Sequence, residues 1–289
     1  MSKVISFQIP KSENSFIQYQ EDRGNHFYDS LHQHSQAQLT LIIEGRGQLL
    51  VGDYVGRFEP GDVYLLAESI PHVFRSDSDY YQEDSNLKIG GNTLFFDFKA
   101  MSKAFSEVED FHDLVHLNKK IAGCFKITGG TKEKITELLA RFGEFSGLVR
   151  LRHCMHILSL LDFTSSDLVP LNQIPILKSM TERDGRRMDQ VMRFILENSK
   201  RQIPLEEVAE QAYMSKEAFC RFFKLRTRRT FTQYVQQLRV TEAKKLLLET
   251  ELSISQVSYQ VGFQTLSHFN KTFKSLTEMT PKDWRKLES

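Results

Sequence analysis

The chain has 289 residues, enough for two ordinary domains, each with its own core. Its 40% hydrophobic and 26% charged residues are those of a folded globular protein, and no apolar run approaches the roughly 18 residues that a membrane span needs. The net charge of +1 hides an asymmetry: residues 1–185 carry −6 (19 basic, 25 acidic) and residues 186–289 carry +7 (19 basic, 12 acidic), which suggests a polyanionic partner for the second part alone.

The first eleven residues lack the apolar core of a signal peptide, so a cytoplasmic address is expected. Residues 1–100 read as β structure. Short apolar runs at 39–43, 49–51, 63–66 and 93–98 alternate with turn residues such as Gly45, Gly47, Gly52-Asp53 and Pro60-Gly61-Asp62. Residues 76–92, rich in Ser, Asp, Asn and Gly, read as a loop. From 101 the period becomes helical. Thr131 is placed as the cap of a helix whose stripe is Ile135, Leu138, Leu139 and Phe142. After Gly147 a second helix carries Leu148, Leu151, Met155, Leu158 and Leu161 on one side. Its other faces are also apolar, which predicts two neighbours, one of them a second copy of the chain. Residues 101–165 are thus expected to form a helical dimerisation region and 166–185, polar and holding Pro170 and Pro175, an interdomain linker. Cys124, Cys154 and Cys220 are odd in number and far apart; they predict free thiols.

Residues 186–289 read as wholly helical and repeat at about fifty residues. Leu205/Ile254 and Val208/Val257 match at an offset of 49; Phe219/Phe269, Arg221/Lys271, Phe223/Phe273 and Lys224/Lys274 match at 50. The extra residue falls in a turn. Each copy has the anatomy of a helix-turn-helix, in which aromatics anchor the back of the second helix and polar residues stay free for a major groove. In the first copy Ser215, Lys216, Glu217, Ala218, Arg221 and Lys224 are the candidate DNA contacts, with Phe219, Phe222 and Phe223 facing the core. In the second copy they are Gln264, Thr265, Leu266, His268, Asn270, Lys271 and Lys274, backed by Phe269 and Phe273. Residues 231–249 read as one joining helix. At about 1.5 Å per residue it spans about 28 Å, suited to two recognition helices roughly one turn of B-DNA apart.

Residues 186–289 resemble the DNA-binding domain of the AraC/XylS-type transcriptional regulators. The most specific likeness is Val261-Gly262-Phe263, Ser267-His268-Phe269, Phe273-Lys274 and Thr280-Pro281-Lys282-Asp283-Trp284-Arg285. The resemblance implies that exposed residues of both recognition helices contact bases and phosphates of double-stranded DNA. Arg228 and Glu278 stand where that family usually has the glycine that ends each recognition helix, so altered or strained turns are expected there.

In the first part, His32-x-His34-x3-Gln38-x6-Gly45 resembles the first cupin motif, and Gly61-Asp62 followed by Pro71-His72 falls where the second would be. Period-2 geometry places His32 and His34 on one face of a strand, with Gln38 inward and His72 on a neighbouring strand. His32, His34, Gln38 and His72 are the residues that could ligate a metal. Gln38 is a weaker donor than a carboxylate, and Ala67 and Ser69 replace the usual Pro and Gly of the second motif. No bound cofactor and no enzyme activity are therefore expected, but rather a small-molecule pocket at the barrel mouth lined by His32, His34, Gln38, Tyr64 and His72, with Phe27, Tyr28 and Phe74 near it. The fold expected is α+β: a cupin-type β barrel, a helical dimerisation element, a linker and an all-α domain with two helix-turn-helix units. By resemblance, such regulators take small effectors, carbohydrates among them, act as homodimers and meet RNA polymerase.

Overall fold

In the computed structural model, residues 16–105, 107–111, 117, 121, 123–172 and 182–287 are described. The chain divides into two compact units, Met1–Glu182 and Arg183–Ser289.

The first unit is β-rich. Its strands are β1 (Ile17–Gly24), β2 (Ala37–Glu44), β3 (Gly47–Val51), β4 (Tyr54–Phe58), β5 (Val63–Leu66), β6 (His72–Ser76), β7 (Ile89–Phe96), β8 (Phe125–Ile127) and β9 (Leu168–Pro170). They build a six-stranded antiparallel sheet in the order β1-β7-β2-β5-β8-β9 and a three-stranded one in the order β4-β3-β6. The expected barrel is therefore not closed: the strands remain in two separate sheets. The expected apolar runs all became strands, but β1, β4, β8 and β9 were not anticipated. The sequence of β1, Ile-Gln-Tyr-Gln-Glu-Asp-Arg-Gly, is half-exposed and polar, so its place is set by pairing with β7 (Ile17 opposite Phe96 through Gly24 opposite Ile89) rather than by an apolar run.

Both faces of the central strands β2, β5 and β7 are largely buried. On β2, Leu39 and Leu41 share one face; Gln38 and Thr40 share the other, opposite Phe95 and Thr93 of β7. Helices α1 (Phe98–Phe105), α2 (Gly129–Ala140) and α3 (Gly147–Ser159) follow among the described residues. The helix α2 packs Ile135 and Leu139 into the same apolar core as Leu39, Leu41, Leu94 and Phe96. Asn92 Nδ2 donates to Leu139 O at 3.1 Å. Two sequence expectations shift here. The cap position of α2 is Thr128, and Thr131 lies inside the helix, its N–H donating to Asp167 Oδ2 at 2.9 Å. The buried side of α3 is Cys154, Ile157 and Leu158, continued by Leu161, while Leu148 at its start is 83% exposed. Within the stretch expected to be linker, Leu168–Pro170 is the edge strand of the large sheet, paired with β8. The rest of that stretch up to residue 181 lies largely outside the described residues.

The second unit is all-helical: α4 (Glu182–Asn198), α5 (Leu205–Gln211), α6 (Lys216–Thr227), α7 (Phe231–Glu249), α8 (Ile254–Gln260), α9 (Leu266–Thr277) and α10 (Pro281–Arg285). Capping sets their starts. Thr230 and Ser253 each close a capping box, with Gln233 and Gln256, and Ser215, Thr265 and Thr280 accept from the N–H three residues on. Phe219 and Phe223 stack tilted at 5.4 Å and meet Phe231 and Tyr234 of α7 edge-on; Phe269 and Phe273 are 5.5 Å apart, and Phe273 meets Trp284 at 6.1 Å.

Candidate nucleic-acid interface and effector cavity

The fifty-residue repeat extends past the positions that revealed it. Thr227 and Thr277 end the two recognition helices alike. Each hydroxyl donates to a carbonyl four residues back (Phe223 O, 2.9 Å; Phe273 O, 2.8 Å) and lies 3.0 Å from one two residues on (Arg229 O; Met279 O). Arg228 and Glu278 then adopt left-handed conformations, with φ of 58° and 62°, and their N–H groups return to Lys224 O and Lys274 O at 2.9 Å. The turns are not altered by the missing glycines. They keep the left-handed helix-ending geometry, at a cost of about 1 kcal/mol each for a side chain in that region.

The turns inside the two motifs also correspond. Met214 N–H donates to Ala209 O at 3.1 Å and Phe263 N–H to Ser258 O at 3.0 Å. Tyr213 and Gly262 hold the left-handed position, φ 54° and 98°. The inserted residue is Gln264, directly before the cap Thr265.

Of the candidate contacts in the first motif, Ser215, Lys216, Glu217, Arg221 and Lys224 are exposed and Ala218 is half-buried. Lys216 is paired with Glu206 at 2.6 Å. Phe222, expected in the core, is only half-buried. In the second motif Gln264, Thr265, His268, Asn270, Lys271 and Lys274 are exposed and Leu266 is half-buried. The imidazole of His268 lies 3.2 Å, Nε2 to Nε2, from Gln236 of α7.

Helix α4 touches both motifs. Asp184 at its start forms an ion pair with Arg226 of the first recognition helix. In the segment just past its end, Ser199 O (2.8 Å) and Arg201 O (2.7 Å) accept from the guanidinium of Arg239 of α7, which lies over the ring of Phe263 in the second motif. Gly262 lies so close to this joint that a Cβ there would be 2.8 Å from Lys200 O and Ser199 O.

In the first unit, a cavity of about 130 Å³ opens between the sheets, with Arg23, Phe27, His32, Gln38, Phe74 and Phe95 among its lining residues. The expected strand carrying His32 and His34 is absent: His32 makes only an isolated bridge, its N–H donating to His72 O at 3.1 Å and its carbonyl accepting from His72 N at 2.9 Å. That bridge still brings the rings together, with centroids 4.4 Å apart for His32 and His72, 5.1 Å for His34 and His72 and 6.0 Å for His32 and His34. Each Nδ1 faces a backbone carbonyl: Ser30 O at 2.9 Å, Gln36 O at 2.8 Å and Ile70 O at 2.8 Å. Burial pushes the imidazole of His32 down to about 4 and holds those of His34 and His72 below the ordinary range, so all three are neutral at pH 7. Tyr64 is not with them. It is fully buried, and its hydroxyl donates to Asp62 Oδ2 at 2.8 Å, which removes it from the cavity wall.

Residues 208–287 match the helix-turn-helix domain family, and residues 15–96 match the AraC-like ligand-binding domain family. The chain is an AraC-family DNA-binding transcriptional regulator. The regulator is 34% identical over 105 residues, 36% of each chain, to the uncharacterized helix-turn-helix-type transcriptional regulator YdeC of Bacillus subtilis (strain 168). It is 22% identical over 258 residues, 89% of its own length and 87% of the relative's, to the transcriptional activator RhaR of Escherichia coli O139:H28 (strain E24377A / ETEC). A solved structure of ToxT from Vibrio cholerae O395, bound to (E)-4-(8-methylnaphthalen-1-yl)but-3-enoic acid, aligns over 95% of the regulator and 100% of that chain at 14% identity, with a TM-score of 0.37.

Sequence reasoning missed three features of these sites. Arg23 reaches the cavity from β1, where its guanidinium donates to Gly91 O at 3.0 Å and Asn92 Oδ1 at 3.2 Å; the polar sequence of β1 concealed that strand. Tyr213, 79% exposed, sits on the left-handed turn of the first motif, beside its candidate contacts. Thr227 and Thr277 were legible as one more match at an offset of 50.

Proposed function

We propose that the regulator reads double-stranded DNA with both recognition helices, α6 and α9, placed in successive major-groove segments. A small molecule in the first unit would set how well it does so. The observation that carries this is the repeat itself: two aromatic-backed helices, each capped at its start by a hydroxyl and ended by a left-handed turn, present exposed polar residues from a basic unit. Arg221, Lys224, Lys271 and Lys274 are the phosphate-reaching candidates. Gln264, His268 and Asn270 are the base-reading ones, since amide and imidazole groups can pair with base edges. Tyr213 joins the first motif's set as a backbone contact.

The cavity between the sheets is the effector site of this reading, with Arg23, His32 and Gln38 as its polar contacts and Phe27, Phe74 and Phe95 as its apolar walls. Its chemistry suits a small polar compound with an apolar face, a carbohydrate being one such class. The relatives are transcriptional regulators, and we take this chain, like them, to act without catalysis. Among the described residues no helix is long and apolar enough to cross a membrane, which agrees with a cytoplasmic protein. The uncovered Leu148 and Val149 on α3 support a homodimer through that helix, and RNA polymerase is the partner expected at a promoter.

Footprinting of the full chain on genomic fragments tests the reading. Protection should fall in two segments about one helical turn apart on one face of the duplex, and duplex DNA should outcompete RNA, whose deep major groove side chains cannot read. Protection of a single segment, or equal competition by RNA, would refute it. The effector arm is separate: a candidate compound should change affinity or footprint length while leaving the base preferences of each half-site unchanged.

A further inference from the structure

We infer that the first unit binds one borderline divalent transition-metal ion, of the zinc, cobalt and nickel class, through the imidazoles of His32, His34 and His72, with the Gln38 amide oxygen beside them. The inference rests on reading this region as a ligand site, but it needs neither an effector nor DNA.

The geometry is the first support. One ring nitrogen from each of the three histidines lies within 4.8 Å of the other two. A tetrahedral ion with metal–nitrogen bonds of about 2.0–2.1 Å sets its donors roughly 3.4 Å apart, so a modest turn of the rings would close the set.

The hydrogen-bond pattern is the second. A carbonyl oxygen can only accept, so each Nδ1 that faces one, from Ser30, Gln36 or Ile70, carries the ring proton. Each Nε2 is then the unprotonated nitrogen, able to accept. This is how metal-binding histidines are usually oriented, with the far nitrogen held by a backbone carbonyl. Among the described residues nothing answers the lone pair of His72: the residue is 1% exposed, and its Nε2 is buried with no hydrogen-bond partner. A buried acceptor without a donor is destabilising, and a fold does not ordinarily retain one without use.

Gln38 gives the third. Its Nε2 donates to Thr40 Oγ1 at 2.8 Å, which leaves Oε1 facing His34 Nε2 at 3.0 Å. Two acceptors at that separation repel each other unless a cation lies between them, and the distance is close to the roughly 3.4 Å between donors on one tetrahedral ion. A turned-over amide would relieve this pair but would leave the lone pair of His72 unanswered. Three neutral imidazoles and an amide oxygen suit zinc, cobalt, nickel or copper; magnesium and calcium prefer sets built from oxygen. An amide is a weaker donor than the carboxylate usual at such a position. The buried lone pairs outweigh it.

The test uses the full chain without an affinity tag, stripped with chelator and dialysed. It is titrated with Zn²⁺ alone by calorimetry and with Co²⁺ alone by visible absorption. One equivalent per chain should bind, cobalt should give the absorption bands of a low-symmetry nitrogen and oxygen site, and zinc should raise the melting temperature. His32→Gln and His72→Gln should each weaken binding at least about tenfold and abolish the cobalt bands, while His156→Gln, on the exposed side of α3, should change neither. His32 is only half-buried, so its variant keeps the test usable if His72→Gln does not fold. Absence of stoichiometric uptake by the parent chain, or uptake and spectra unchanged in His32→Gln, would overturn the inference. Because the readout is the metal, either result leaves the DNA-binding reading to its own test.

Discussion

At the scale of single residues, the helix-turn-helix unit holds backbone strain in its turns. Arg228, Glu278 and Tyr213 hold left-handed conformations that favour glycine, whereas Gly262 holds the equivalent of Tyr213 in the second motif. Arg228→Gly and Glu278→Gly should each therefore stabilise the full chain by roughly 0.5–1 kcal/mol in urea unfolding. A loss of stability would mean that the side chains contribute more than the strain costs. If Arg228 reaches a phosphate in the complex, Arg228→Gly should weaken DNA binding while raising stability. Gly262→Ala should act oppositely, because its φ of 98° is strained for alanine and its new Cβ would press on the carbonyls of Ser199 and Lys200. A destabilisation of about 2–3 kcal/mol is expected. None of these left-handed positions except Gly262 can be read from residue type, since nothing in an arginine or a glutamate announces positive φ. The family resemblance marks Arg228 and Glu278, and the internal repeat sets Tyr213 opposite Gly262.

Among elements, the recognition helices were legible because their aromatics sit at helical spacing and their caps are hydroxyl residues. Phe273 is fully buried between Phe269 and Trp284. Phe273→Ala should cost about 3–5 kcal/mol and abolish binding through the second motif. Thr230→Ala removes one half of a capping box and should cost about 1 kcal/mol, read in the same unfolding experiment. The β elements were less legible. β2, β5 and β7 are apolar runs because both their faces are covered, and such runs are visible in sequence. By contrast, β8 and β9 have three residues each, too few to show any period, and they exist because β5 offers an edge. The three histidines expected to lie together do so, but not in the way that their spacing suggested. Their spacing suggested one face of a strand, but what joins them is a single backbone bridge between His32 and His72.

For the whole molecule, the charge asymmetry gave the right division of labour: the basic unit carries the helix-turn-helix repeat and the acidic one the ligand-binding domain. Electrostatics should then appear in the binding isotherms. Lys271→Ala should lower affinity by a similar factor on every sequence and reduce the salt-dependence slope by about one if it meets a phosphate. Asn270→Ala should instead lose affinity on particular base pairs, at about 1–3 kcal/mol for a lost bidentate contact. A uniform loss from Asn270→Ala would move that residue to the backbone-contacting set. Closure of the barrel was the one large-scale expectation that failed. Local alternation specifies that strands form, but whether two sheets join along an edge depends on a few terminal hydrogen bonds that no periodic pattern encodes.

The helix α7 packs Phe231 and Tyr234 against the first motif and Val240, Ala243 and Leu247 into the core of the second. It therefore acts as a ruler. A helix advances about 1.5 Å and turns about 100° with every residue, so one amino acid inserted into Phe231–Glu249 would swing the second reading head through more than a quarter of a circle. On the proposed reading, point substitutions would retune which bases each head prefers, one head at a time. The phase between the heads cannot drift in the same way, and operators that diverge under this regulator should vary in letters while holding their spacing fixed.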